Sequence, residues 1–280
     1  MGLVIGIDVG GSTTKIVGIR DGAFLSPLMV RANDPIASIF GAFGKFTSEN
    51  HIPLKDISRV MVTGAGSTFV DTPLYGLPTG YVDEFIAIGL GGRHMSGIQN
   101  PLVVSMGTGT SFVRVNGNQI RHIGGTGIGG GTITGLAGTM LNVREVETLS
   151  SMAREGNLQN IDLMVCDFIT KPGGNLTPDT TAANFGKIKD VATKNDFALG
   201  ILNLVFQTIG MMAVFAVGEN RGEPVVLTGN LTTIPQAKEI MDHLSSLFHF
   251  SFLIPEHAQF ATAVGAALAA QDSSYFRIIE

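Results

Sequence analysis

A short apolar run near the start of the chain leads into Gly6-Ile7-Asp8-Val9-Gly10-Gly11-Ser12-Thr13-Thr14-Lys15. A second apolar run leads into a similar loop, Ser105-Met106-Gly107-Thr108-Gly109-Thr110-Ser111. Glycines in both loops permit positive φ angles and close backbone approach, so N–H groups and hydroxyls can surround an anion. The repeated layout predicts two phosphate-binding halves, although either loop taken alone is also compatible with a tight β-hairpin.

Two charged side chains accompany the first loop. Asp8 at the strand end can hold Mg²⁺ through water, and Lys15 can neutralise phosphate oxygens. A lysine that only reaches solvent is the alternative for Lys15. Neither loop has the spacing G-x-x-x-x-G-K-[ST], and no Gly-x-Gly-x-x-Gly fingerprint with a distal acidic residue occurs near residue 10.

Composition indicates a compact enzyme. The chain has 280 residues, of which 44% are hydrophobic, 15% are charged and 37 are glycine. This length and composition favour a loop-rich α/β protein of two domains. A net charge of −5 without a Lys/Arg block gives no support for nucleic-acid or membrane-surface binding, which leaves small-molecule chemistry.

Cysteine content and apolar segments limit other classes. The single cysteine, Cys166, excludes an internal disulfide and a C-x-x-C zinc site, and we interpret it as a packed residue. The N-terminus lacks the features of a secretory signal, so we expect a cytoplasmic protein. The longest apolar stretch, 201–217, contains polar residues and predicts a buried or subunit-facing helix instead of a membrane span.

Hydrophobic periodicity predicts a strand, a loop and an antiparallel meander twice along the chain. The expected strands are 3–7, 14–20, 23–30, 59–63, 102–104, 224–228 and 251–254. The expected helices are 36–49, 83–93, 133–141, 146–154, 162–170, 196–220, 236–248 and 260–271. In the first helix, Ile36, Ile39, Phe40, Phe43 and Phe46 are expected on one buried face.

A glycine-rich segment, 124–132, precedes the helix predicted at 133–141. Its glycines could let the backbone approach an anion at the helix N-terminus, where N–H groups and the helix dipole favour negative charge. A flexible linker is the alternative interpretation.

Together these motifs resemble the superfamily of acetate kinase, sugar kinases, Hsp70 and actin, in which two ribonuclease-H-like domains clamp ATP between paired phosphate loops. Within it, the chain most resembles the type II, eukaryotic-like pantothenate kinases. The matching segments are 6–12, 83–85, 107–111, 124–132 and, most specific to the family, Thr181-Ala182-Ala183-Asn184-Phe185-Gly186.

That resemblance implies an α/β fold of two ribonuclease-H-like domains with the active site in the cleft between them. The first domain would span 1–98 and be completed by the C-terminal helix 260–271. The second would span 99–259 and contain a helical insertion and a dimer-forming helix, although that helix could equally be internal core.

The implied reaction is ATP-dependent phosphorylation of the primary hydroxyl of pantothenate to 4'-phosphopantothenate, the first step toward coenzyme A. Glu84 would be the catalytic base, with Asp83 as the candidate if the helix register differs by one. Thr108 and Ser111 would bind pantothenate, and Asp8 would orient Mg²⁺ through water. The residues expected near ATP are Asp8, Gly10, Gly11, Ser12, Thr13, Lys15, Gly107, Thr108, Gly109, Gly125, Gly129, Gly130, Gly131 and Gly229. The resemblance also implies a homodimer, with coenzyme A or its acyl thioesters as candidate inhibitors.

One position departs from the family pattern. Where the family has a substrate-contacting arginine, this chain has His122, preceded by Arg121. Either Arg121 turns into the pocket, or His122 replaces the contact and weakens carboxylate recognition, because a neutral imidazole lacks the bidentate fork of a guanidinium.

Two other functions therefore stay open. One is a kinase for pantetheine or another hydroxy acid, motivated by His122. The other is an ATP-dependent activator of a radical dehydratase, a class with a similar opening loop and an iron–sulfur cluster on cysteines at the dimer interface. With one cysteine per chain, a dimer has two thiolates and not the four that such a cluster uses.

Overall fold

The computed structural model describes residues 2–31, 34–169, 177–218, 222 and 224–279. The chain starts with the predicted meander, an antiparallel series of three strands. These are β1 (Leu3–Val9), β2 (Thr13–Arg20) and β3 (Ala23–Arg31). Helix α1 (Pro35–Glu49) then leads to β4 (Ile57–Thr63) and β5 (Thr79–Val82), which extend the sheet in parallel beyond β1.

A second sheet repeats this plan after helix α2 (Glu84–Ser96). Its meander consists of β6 (Leu102–Met106), β7 (Thr110–Asn116) and β8 (Gln119–Thr126). An insertion follows, with α3 (Gly130–Leu141), α4 (Val146–Ala153), the short strands β9 (Leu163–Met164) and β10 (Thr181–Ala183), and α5 (Lys194–Val217).

The second sheet is completed by two parallel strands that come late in the chain. These are β11 (Val225–Thr228) and β12 (Phe252–Leu253), which are linked by α6 (Pro235–Phe248). The sheet order β8-β7-β6-β11-β12 matches β3-β2-β1-β4-β5 of the first sheet. Because corresponding strands end at corresponding edges, the β1–β2 and β6–β7 loops occupy equivalent places.

The chain end returns to the first sheet. Helix α7 (Ala261–Ala269) packs on β1 and β2, and β13 (Phe276–Ile279) pairs antiparallel with β5. Helix α7 also crosses α2, which lies against the second sheet. A Cβ atom on Gly91 would overlap the carbonyl of Ala261, and one on Gly265 would overlap that of Ala87. The two helices therefore join the sheets through direct backbone contact.

Some predicted elements were wrong in detail. The segment 162–170 is not a helix over its described part, because β9 and a single 3₁₀ turn, Val165–Asp167, take its place. Ile36 and Phe40 do not face the core, since they are 50% and 36% exposed, whereas Phe43 and Phe46 are buried. Some predicted positions lie outside the described residues, namely Thr170, residues 172–176 of the adjoining loop and Asn220.

Helix α5 is the described helix that is long and apolar enough to cross a membrane, by length and composition. However, 56% of its apolar window is buried inside the chain. Ile201, Val205, Phe206 and Ile209 belong to the core beneath the second sheet. This burial fits the prediction of a core helix.

Candidate functional site

The two glycine loops face each other across a cleft of about 550 Å³. Most of the predicted site residues line this cleft: Asp8, Gly10, Gly11, Ser12, Thr13, Lys15, Glu84, Gly107, Thr108, Gly109, Ser111, His122, Gly125 and Gly229. Seven other residues line the cleft without having been predicted individually: Ala65, Phe85, Ser105, Thr110, Thr126, Asn230 and Thr262. Of these, Ser105 and Thr110 belong to the predicted second loop, and Asn230 belongs to the segment 229–231, which resembles the superfamily's adenosine-side loop. Arg121, Gly129, Gly130 and Gly131 do not line it.

Asp8 and Lys15 form a buried pair at the base of the first loop. They lie opposite each other in the β1–β2 register, with 3.4 Å between Lys15 Nζ and Asp8 Oδ2. The two residues are only 6% and 7% exposed. The lysine thus holds the carboxylate in place and presents positive charge beside the glycine loop, where phosphate oxygens would lie.

The end of β4 packs closely against Asp8. Gly64 has φ +88°, and a Cβ atom there would lie 2.6 Å from Asp8 Oδ1. Thr63 pairs with Asp8 across the strands and is fully buried, and its hydroxyl oxygen has no hydrogen-bond partner among the described residues. Only glycine at position 64 leaves the Asp8 carboxylate its observed position.

The residues around Asp8 suit Mg²⁺ bound mainly by phosphates and water. Among the described residues, no group of three His, Cys, Asp or Glu side chains could form a protein cage for a metal. Mg²⁺ is commonly held through one or two carboxylates plus substrate phosphates. A single carboxylate at the edge of an anion-binding loop matches that pattern.

Asp83 and Glu84 have different positions at the start of α2. Asp83 is the N-cap, and its Oδ1 accepts hydrogen bonds from the backbone N–H groups of Phe85 at 2.9 Å and Ile86 at 3.3 Å. Glu84 is half-buried and lines the cleft. Burial raises the pKa of the Glu84 carboxyl, and the negative charges of Asp8 and Asp83 add to this, while Lys15 opposes it. A raised pKa makes Glu84 a better proton acceptor than an ordinary glutamate.

Gly129, Gly130 and Gly131 lie behind the second loop. The N–H groups of Gly130 and Gly131 donate to the carbonyls of Gly107 and Thr108, both at 2.9 Å. A Cβ atom on Gly129 would lie 2.6 Å from the Thr108 carbonyl oxygen. These N–H groups therefore fix the shape of the second loop and are not directed at a ligand.

A third loop, at the end of β11, reaches across the cleft. Gly229 has φ +88°, and a Cβ atom there would strike the backbone of Met106. The Asn230 amide donates to Thr13 Oγ1 at 3.1 Å, which connects this loop to the first glycine loop. The Asn230 Oδ1 atom is buried and has no hydrogen-bond partner in the part of the chain that the structure describes, so it is available to a donor on a ligand.

The loops after β4 and β11 are related by the internal repeat. Thr63-Gly64-Ala65 and Thr228-Gly229-Asn230 share the same glycine φ, and each is followed by a 3₁₀ turn. In each turn a hydroxyl donates to the glycine carbonyl, Ser67 at 2.6 Å and Thr232 at 2.7 Å. The Thr-Gly pairs are the sequence signal by which Ala65 and Asn230 could have been found.

His122 replaces the expected arginine inside the cleft. Its imidazole stacks on the Phe85 ring, with centroids 3.9 Å apart and planes 8° from parallel. Arg121 is exposed and pairs with Arg114 in the β7–β8 register, without lining the cavity. Of the two side chains, the imidazole of His122 lines the cleft and the guanidinium of Arg121 does not.

The motif Thr181-Ala182-Ala183-Asn184-Phe185-Gly186 lies in the insertion and not in the cleft. Asp162 is fully buried there and accepts hydrogen bonds from the backbone N–H of Phe185 at 2.8 Å, Asn203 Nδ2 at 2.9 Å and Thr181 Oγ1 at 3.1 Å. The motif thus encloses a buried carboxylate and ties the insertion to α5.

Two sheets that share the same order over five strands, with glycine loops facing one cleft, define the fold class of actin-like ATPases and sugar kinases. Solved structures agree with this. The Clostridium difficile activator of 2-hydroxyisocaproyl-CoA dehydratase, with bound ADPNP, superimposes with a TM-score of 0.69 and 16% identity over 96% of this chain and 94% of that one. A ROK family glucokinase from Streptomyces griseus, in complex with glucose and AMPPNP, gives a TM-score of 0.62 and 16% identity over 97% of this chain and all of the other. At these identities the likeness concerns the fold.

The particular family follows from sequence. Residues 96–269 match the Fumble family model, and the chain belongs to that family. Similar curated proteins are named type II pantothenate kinase. The one from Staphylococcus haemolyticus is 28% identical over 94% of this chain and 98% of its own length, and one from Bacillus cereus is 27% identical over 94% and 97%. The predicted resemblance is confirmed.

Proposed function

We propose that this protein is a type II pantothenate kinase that uses ATP and Mg²⁺ to phosphorylate the primary hydroxyl of pantothenate. The observation that carries the proposal is the position of Glu84, a half-buried carboxylate in the same cleft as both glycine loops. Membership of the Fumble family and relatives named type II pantothenate kinase support the choice of acceptor.

Phosphoryl transfer in this cleft needs a base and groups that hold the phosphates and offset their negative charge. Glu84 takes the proton of the acceptor hydroxyl while the hydroxyl oxygen bonds to the γ-phosphorus. The bond from that phosphorus to the β–γ bridging oxygen breaks, and its electron pair leaves with ADP. Lys15 and the backbone of the two loops hold the phosphate oxygens, and Ser111 and Thr108 orient the acceptor.

Asp8 would hold Mg²⁺ through water in this scheme. When bound, the ion neutralises charge on the β- and γ-phosphates. Lys15 and Gly64 fix the position of the Asp8 carboxylate, so the protein supplies orientation at this point. The loop at Gly229 and Asn230 is proposed to lie against the adenosine.

The domain limits are part of the same proposal, with 1–98 plus 260–271 as one domain and 99–259 as the other. So is a homodimer formed through α5, on which Phe215 is 75% exposed. Inhibition by coenzyme A or its thioesters, a cytoplasmic location, and the lack of nucleic-acid or membrane partners stay predictions.

A coupled ADP-release assay with pantothenate tests the function. In Glu84→Gln, which keeps the shape and removes the base, turnover should fall by at least about 100-fold, with ATP binding by calorimetry unchanged. Asp83→Asn keeps the helix cap and should retain turnover. Loss of turnover in Asp83→Asn but not in Glu84→Gln would move the base to Asp83. Wild-type protein that binds ATP but releases no ADP with pantothenate would refute the proposal.

The activator alternative shares this fold, since one of the similar structures is a dehydratase activator and another is a dehydratase component A. Its iron–sulfur cluster needs thiolates, and this chain has the single cysteine Cys166. Cys166 is exposed, so its interpretation as a packed residue was wrong. The sequence relatives are named kinases. Anaerobically purified protein should contain less than one iron atom per dimer, and stoichiometric iron with the absorption of a cluster would revive the alternative.

A further inference from the structure

The cleft contains little positive charge for an acceptor carboxylate. Among the residues that the structure describes, the ionisable side chains that line it are Asp8, Lys15, Glu84 and His122. Lys15 is already paired with Asp8 beside the phosphate loop. An acceptor that carries a carboxylate would therefore enter a site with two carboxylates and one lysine that is directed at the phosphates, which is unfavourable unless a further cation faces it.

His122 is the side chain that can supply this cation. It stacks face to face on Phe85, the residue after Glu84, and lines the same cleft as the proposed base. Stacking fixes the ring plane and leaves its edge, which carries both nitrogens, free to meet an acceptor group. A neutral imidazole offers one N–H donor, while a protonated one offers two donors and a full charge.

Among the described residues that line the cleft, the one cation other than His122 is Lys15, which is paired with Asp8. On β8 the neighbour of His122, Arg121, lies outside the cavity, and on β7 the opposite residue is Val113, followed by Arg114, which pairs with Arg121. On α2 the Phe85 ring stacks on His122, and the Glu84 carboxylate lines the same cleft. The charge state of His122 therefore decides whether the acceptor side carries a positive group.

We propose that His122 is a specificity-determining residue, because its protonation controls recognition of an acceptor carboxylate. Above neutral pH the cleft therefore favours acceptors that carry a neutral amide in place of that carboxylate. This rests on the proposed kinase function. Histidine changes charge between about pH 5 and 8, and a hydrogen bond to a charged group contributes enough to change affinity about tenfold or more. Pantetheine, which has the same hydroxyl arm but an amide in place of the carboxylate, is the matched neutral acceptor.

The test compares kcat/KM for pantetheine and pantothenate from about pH 5.5 to about pH 8.5. Because both acceptors share one base and one nucleotide, the ratio of the two values cancels the titration of Glu84 as the base. His122→Gln keeps Glu84, so it reports any effect of the Glu84 charge on the carboxylate acceptor. In the wild type the ratio should rise about tenfold with pH. In His122→Arg the ratio should be low and independent of pH, because the KM for pantothenate falls while kcat does not change. In His122→Gln it should be high and flat.

His94→Arg adds the same charge at an exposed position in the last turn of α2 and should leave the wild-type ratio in place. A flat wild-type ratio, a His122→Arg ratio equal to that of the wild type, or an equal response to His94→Arg would each overturn the inference. Failure of the kinase function is distinct, since neither acceptor would then release ADP at any pH from protein that binds ATP, and both proposals would fall together.

Discussion

Glu84 is a carboxylate whose position determines the pH response of the proposed reaction. Its pKa is raised first by burial and then by the charges of Asp8 and Asp83. The base acts when deprotonated, so kcat should fall as pH drops through this raised value, at a higher pH than for an ordinary glutamate. Asp83→Asn removes one of the negative charges and should move the fall to lower pH in a kcat–pH profile at saturating acceptor.

A matched control for that shift is Asp272→Asn. Asp272 also caps a helical turn, with its Oδ1 accepting from Ser274 N at 2.9 Å, and it does not line the cleft. The profile of this variant should coincide with that of the wild type. A fall that stays at the same pH in Asp83→Asn would show that another group titrates.

Gly64 is predicted to matter because of what its missing side chain would strike. Gly64→Ala places a Cβ against Asp8 Oδ1 and should weaken binding of ADP with Mg²⁺ by roughly 10- to 100-fold, as with other substitutions behind a metal ligand. Gly76→Ala introduces the same backbone strain at φ +72° with nothing within 4 Å. Calorimetry on both variants separates strain from displacement of Asp8, and equal affinities would contradict this role of Gly64.

At the scale of elements, the crossing of α2 and α7 is the contact that tolerates least change. Gly265→Ala forces a methyl into the Ala87 carbonyl and should lower the free energy of unfolding by about 1–3 kcal/mol or more. Gly41→Ala, at an exposed site in α1 with nothing within 4 Å, should instead raise it by up to about 1 kcal/mol. Urea denaturation measures both, and a Gly265→Ala protein as stable as the wild type would refute the close crossing.

Elements that are held by contacts close in sequence could be predicted, whereas elements that are held by contacts distant in sequence could not. The β1–β3 meander was read correctly because its alternation and its turn at Asp21-Gly22 are local. β5 and β13 were missed because each is short and pairs with the other across most of the chain. The helix predicted at 162–170 failed because Asp162 is fixed by Thr181 and Asn203, which are distant in sequence.

At the scale of the whole molecule, the two loops could be placed in one cleft from sequence because the repeat brings equivalent strand ends together. Glu84 was placed there by the family resemblance. The sequence could not show which of His122 and Arg121 lines the cleft, because this depends on which face of β8 each residue occupies. A bulge between Phe112 and Val113 shifts the pairing there, and sequence alone gives no sign of it. The Phe85 stack likewise depends on how α2 lies against the second sheet.

The two halves of the molecule are also joined at the rim of the cleft. The Arg31 guanidinium, at the end of β3, donates to Glu145 at 3.1 Å and to Glu147 at 3.2 Å, where α4 begins. All three side chains are more than 60% exposed, so the contribution should be small and sensitive to salt. We expect Arg31→Gln to weaken ADP binding by no more than roughly fivefold at low salt, because a looser rim makes closure around the nucleotide less favourable.

Titration calorimetry at low salt and at about 1 M salt tests this expectation. At high salt the difference between Arg31→Gln and the wild type should vanish, since ions screen an exposed pair. Lys238→Gln removes an exposed ion pair with Asp242 inside α6 alone and should leave ADP affinity unchanged at both salt concentrations. A loss of ADP affinity in Arg31→Gln that persists at high salt would mean that the side chain acts by packing. An equal loss in Lys238→Gln would mean that surface charge, and not the link across the cleft, governs nucleotide binding.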